Sequence, residues 1–170
     1  MKLIISIILL SAFSYSVCGQ THKAPGGWRF PTPRDYQGDW RTQRKDGTRP
    51  FKTEGDFNND KIRDEAWILI PTSGTGAGLF VFLGQSNKTF RTVQLDYVEG
   101  AKAQNLYVNV AAKGEYQTAG GKGFGNCTTG EPSKLNLKFQ AISYGTFESS
   151  EFIYYWDVQR KAFGSVAISD

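Results

Sequence analysis

Beyond Pro50 the chain is organised by a period of two, in short apolar runs separated by Gly, Asn, Ser and Asp, which is the pattern of antiparallel strands. In the run 66–70, Ala66, Ile68 and Ile70 alternate with Trp67 and Leu69. In 79–83, Leu79, Val81 and Leu83 alternate with Phe80 and Phe82. Both runs are apolar on each face, which predicts central strands covered on two sides. The runs 90–95 and 106–110 are half-polar. In 135–140, Leu135, Leu137 and Phe139 face one way, while Asn136, Lys138 and Gln140 face the other. The runs 152–156 and 163–168 flank Asp157 to Lys161 and predict a hairpin. About seven strands result, and no interval is long and periodic enough for a buried helix. The expected fold is mostly β, an antiparallel sheet folded as a sandwich or open barrel.

The N-terminal pattern is different. Lys2 precedes an apolar stretch from Leu3 to Phe13, followed by small residues, as in an export signal. The stretch is too short for a membrane span. Val17 and Gly19 fit the positions before a cut, so residues 1–19 are expected to leave as a signal peptide, with Cys18 among them. A lipidated Cys18 is the alternative, disfavoured by Tyr15 and Val17. Residues 20–35 carry three prolines and a Gly pair and suit an extended tether or surface strap, on which Trp28 or Phe30 could dock. Residues 36–170 then form a single β-rich domain, with a short helix or edge strand in 36–47.

Composition narrows the chemistry. The 170 residues include 14% aromatics, 21% charged residues, one His and two Cys. After signal cleavage Cys127 stands alone, and His22 lies in the tether, so Cys-His, Ser-His-Asp and His-metal schemes lack their partners. Loss of Lys2 leaves 19 basic against 16 acidic residues. That excess, without a basic run, excludes a nucleic-acid footprint. Gly74, Gly76 and Gly78 lack the third glycine and the helix of a dinucleotide loop, and the glycines around Lys122 lack phosphate-loop spacing.

The most informative segment is GDFNNDKIRDEAW. Asp56, Asn58, Asp60 and Asp64 occupy relative positions one, three, five and nine, and Ile62 at position seven would offer its carbonyl. Calcium wants six to eight oxygen ligands, and alternate side chains of a tight loop can converge on one ion. DFNNDKIRDEA resembles the calcium loop of FG-GAP and VCBS-type repeats, D-x-N-x-D-G-x-x-D followed by a hydrophobic strand, here AWILI. The resemblance covers about a dozen residues, and it implies that the four matched side chains are calcium ligands in an exported adhesive β-protein. Lys61 stands where that pattern has glycine, which predicts about 1 kcal/mol of strain if the left-handed backbone persists. The competing reading is a polar turn in which Asn58, Asn59 and Asp60 cap their own backbone.

Aromatic residues supply a second candidate surface: Phe152, Tyr154 and Trp156 share one strand face opposite Tyr155 and could stack on a sugar or a partner, or else fill a core. The reading reached is an exported, periplasmic or secreted bacterial binding protein without catalysis. It carries a structural calcium loop and engages a protein or glycan of the cell envelope. The alternatives are an inhibitor or immunity-type protein acting on an envelope enzyme, and a glycan-processing enzyme using Glu148, Glu151 or Asp157.

Overall fold

The computed structural model describes residues 22–43, 48–124 and 132–169; residues 1–19, expected to be a signal peptide, with Cys18 among them, and Cys127 lie outside the described residues. The fold is mostly β and wholly antiparallel. One sheet contains β1 (Trp28–Arg29), β2 (Lys52–Gly55), β3 (Asp64–Pro71), β4 (Gly76–Gly84) and β5 (Phe90–Glu99), in the order β1-β3-β4-β5, with β2 also paired to β3. The other contains β6 (Leu106–Ala111), β9 (Ala141–Thr146), β10 (Glu151–Asp157) and β11 (Ala162–Ser169), in the order β11-β10-β9-β6. A separate ribbon pairs β7 (Gly114–Gln117) with β8 (Lys134–Leu137).

The sheets face each other as a sandwich, and no barrel closes. Their shared core takes Ala66, Ile68, Leu79, Val81 and Leu83 from one sheet and Leu106, Val108, Ile142, Tyr144 and Tyr154 from the other. The two-sided apolar runs in β3 and β4 have a reason: their other face, Leu69, Phe80 and Phe82, is also buried, beneath Ala24, Trp28 and Phe30 of the Pro/Gly-rich segment. That segment is therefore a strap. Trp28 and Arg29 pair with Pro71 and Ile70, and a two-pronged Arg29–Asp35 contact at 2.7 and 2.8 Å pins its end. On the far side, Leu135 and Leu137 of the ribbon cover Ala141, Ile153, Val166 and Ile168.

Among the described residues there are eleven strands rather than about seven. The additional ones are β1, β2, β7 and β9. The first two are too short to show alternation, and β9 carries Ser143 and Gly145 on the face opposite Ile142 and Tyr144, which weakens its contrast. The expected short helix is the single turn α1 (Asp39–Thr42). It buries Trp40, whose Nε1 donates to the Leu106 carbonyl at 2.7 Å.

The two margins of the sandwich differ. Along β2 and β6 the sheets are stitched together, since the Val108 amide of β6 donates to the Pro50 carbonyl, just before β2, at 2.7 Å. Along β5 and β11, the opposite edge strands, the sheets part and leave a cleft.

Candidate functional sites: an acidic loop and a marginal cleft

The acidic loop connects β2 to β3, and its local sequence explains its shape. Asp56 accepts the Asp60 and Lys61 amides through Oδ1 and Oδ2 at 3.0 and 2.9 Å. Asn58 accepts the Asp60 amide at 3.1 Å and donates Nδ2 to Asp60 Oδ2 at 2.8 Å. Asp60 Oδ1 accepts the Ile62 amide at 2.8 Å. These short-range bonds wind the chain tightly enough to place Asn59 at φ 60° and Lys61 at φ 67°. The left-handed backbone at position six of the pattern thus persists although a lysine occupies it.

Asp64 differs from the other three side chains. It is fully buried, and it ties the loop shut: Oδ2 accepts the Phe57 amide at 2.8 Å and Oδ1 accepts the Gly84 amide at 2.9 Å. Burial, aided by the charges of Asp60 and Asp56 and opposed by the two amides, pushes its carboxyl up to about 6. Arg63 is directed elsewhere, to Glu54 and Glu65, so it does not neutralise Asp64. Gly84 has to be glycine because a Cβ there would lie 2.5 Å from the Arg63 carbonyl oxygen. Ile62 packs its Cγ2 toward the same glycine.

Asp56, Asn58, Asp60, Ile62 and Asp64 are therefore assembled in one loop, with the acidic side chains engaged by backbone amides. Among the described residues, no group of three or more His, Cys, Asp or Glu side chains forms a ready metal cluster. Carboxylate oxygens carry two lone pairs each, so an oxygen that accepts an amide retains the capacity to bind a cation.

His22 is not in a free tether. It sits among Phe30, Phe82, Phe90 and Trp67, with its ring centroid 4.1 Å from that of Phe82. Its Nε2 lies 3.5 Å from the Glu65 carboxylate, which also accepts Trp67 Nε1 at 2.8 Å. Burial pushes the imidazole below its ordinary value, against the pull of Glu65. The two-sided apolar pattern of β3 and β4 was the signal in the sequence that a segment had to cover them.

The aromatic face divides. Phe152 is exposed, Tyr154 joins the core between the sheets, and Tyr155 packs with the outer cluster beneath the ribbon. Trp156 stays half-buried at the parted margin, edge-on to Phe163 at 5.1 Å. There, a cleft of about 330 Å3 opens between β5 and the β10–β11 hairpin. Arg91 places its guanidinium 5.6 Å from the Trp156 ring centroid. The sequence marked only Tyr154 and Trp156 of this site, because its other residues come from the edge of one sheet and the terminal hairpin of the other.

Of the carboxylates considered for hydrolysis, Glu151 and Asp157 are not brought together by the fold. Glu151 and Asp157 end the same strand six residues apart, about 20 Å at ~3.3 Å per residue, whereas glycosidase pairs need roughly 5–9.5 Å. Glu151 accepts Ser143 Oγ at 2.6 Å, and Asp157 is held by Arg160 at 2.6 Å. Among the described residues no helix is long and apolar enough to cross a membrane. The chain matches no family model, no curated protein and no solved structure.

Proposed function

We propose that the protein is an exported, non-catalytic binding domain of the bacterial cell envelope, with a glycan or protein partner, and that its Asp56–Asp64 loop takes a calcium ion as part of the fold. The observation that carries the reading is Asp64, a fully buried carboxyl with two further carboxylates nearby and no cationic side chain paired to it among the described residues. A divalent cation offsets that accumulation of charge, and calcium tolerates the irregular oxygen set of Asp56, Asn58, Asp60, Asp64 and the Ile62 carbonyl.

The ion would stabilise only the folded state. At a calcium concentration about 100 times Kd the gain is about 2.7 kcal/mol, which at about 2–4 °C per kcal/mol raises Tm by roughly 5 °C or more. Thermal melting in millimolar calcium against chelator tests this. The shift is expected in the wild-type protein and absent in Asp60→Ala, whose side chain is exposed. Equal melting temperatures for the wild type in the two media would overturn the calcium loop.

A further inference from the structure

The geometry points to a binding site for a carboxylated sugar, such as a terminal uronic acid residue of a glycan, in the cleft between β5 and the β10–β11 hairpin. The inference rests on reading the domain as a binding module and supplies the ligand class that the reading leaves open.

Four features of the cleft act together. Trp156 and Phe163 form an apolar wall that stays half-exposed although both rings reach the core between the sheets. An aromatic wall at the mouth of a cleft is suited to the C–H face of a sugar ring. Arg91 on β5 and Lys161 in the β10–β11 turn, on opposite sides of the rim, have no carboxylate partner among the described residues. Asp157 of the hairpin is paired with Arg160, and Asp96 of β5 accepts the hydroxyl of Tyr154, which also lines the cleft. Gln94 and Ser165 line the same space and make no side-chain hydrogen bond within the described protein. Such a site presents two cations, one amide and one hydroxyl around an aromatic surface.

Ligand chemistry follows from what would satisfy all of these groups. A carboxylate engages Arg91 and Lys161, and Arg supplies the planar fork that matches it. Ring hydroxyls engage Gln94 and Ser165, while the ring face covers Trp156. A neutral sugar leaves the cations unused, and an aromatic acid leaves Gln94 and Ser165 unused. The volume of about 330 Å3 is near the lower end of small-ligand sites, roughly 300–1,000 Å3, and limits the occupant to one or two rings.

The test is titration of the intact folded protein with glucuronic acid, a glucuronic-acid-terminated disaccharide, glucose and benzoate, followed by tryptophan fluorescence and calorimetry. Glucuronate compounds are expected to bind at least about tenfold more tightly than glucose or benzoate, with weakening at high salt. Arg91→Ala and Lys161→Ala, both exposed positions, are expected to lower that affinity about tenfold each while leaving Tm and its calcium shift unchanged. Equal binding of glucose, binding that survives both substitutions, or no binding of glucuronate compounds by protein with a wild-type melting temperature would each overturn the cleft assignment alone. Turnover of any of these compounds would instead overturn the binding-only reading on which it rests.

Discussion

Lys61 carries in one residue the tension between sequence and backbone in the acidic loop. Its φ of 67° suits glycine, and a side chain with Cβ costs about 1 kcal/mol there. Lys61→Gly is therefore expected to raise Tm by about 2–4 °C in chelator, read by thermal melting, whereas Lys61→Val should lower it. Asp64 adds a pH dependence with a definite sign. Its folded pKa of about 6 lies above the unfolded value, so without calcium its contribution is fully present below about pH 4 and is lost as pH rises through about 6. Calcium binds the ionised form and must displace that proton. The calcium-induced rise in Tm should accordingly be small near pH 5 and complete above about pH 7, and an equal rise at both would remove Asp64 from the site. Tyr144 offers an independent check on packing. Its hydroxyl is buried without a hydrogen-bond partner among the described residues, a cost of about 1–3 kcal/mol, so Tyr144→Phe should be neutral or stabilising in denaturant melts.

The strap is the element whose role depends most on its neighbours. Trp28 stacks edge-on to Phe80 at 4.8 Å, and beneath it Gly78 leaves room that a Cβ would close to 2.8 Å from the indole. Trp28→Ala is expected to cost about 2–3 kcal/mol, below the ~3–5 of a fully buried tryptophan, and to expose Leu69, Phe80 and Phe82 to a hydrophobic dye. Gly78→Ala should show the same dye response, because it lifts the ring without shortening the strap. The alternation in 66–70 and 79–83 already announced that β3 and β4 are covered twice, and the spacing of Trp28 and Phe30 showed only that one of them could dock, not that they cover these strands. Hidden from the sequence was the small-residue strand β9, whose place comes from its neighbours β6 and β10 rather than from its own periodicity. The spacing of Asp56, Asn58, Asp60 and Asp64 was legible for the same local reason that made the strands legible. The cleft was not, since Arg91 and Lys161 meet only when two sheet edges are brought side by side.

At the scale of the whole molecule, the question is whether the acidic loop and the cleft, at opposite margins, belong to one cooperative unit. The core between the sheets argues that they do: Ile68 and Val81 of the first sheet pack in one cluster with Val108, Ile142 and Tyr154 of the second, and the backbone bond from Val108 to Pro50 bridges the margin nearest the loop. Neither sheet can unfold without exposing the apolar face of the other, so unfolding should be two-state. Calcium held at the β2–β3 corner would then stabilise the distant hairpin as much as the loop itself. Tryptophans report on each side, with Trp28 and Trp67 on the first sheet and Trp156 on the second. A variant in which Trp156 is the only remaining tryptophan near the surface, Trp28→Phe with Trp67→Phe, should give a fluorescence midpoint equal to that from circular dichroism. Both should move by the same number of degrees on adding calcium. Two separated midpoints, with only the dichroism signal responding to the ion, would instead mean that the sheets melt independently and that the loop stabilises only the sheet it enters.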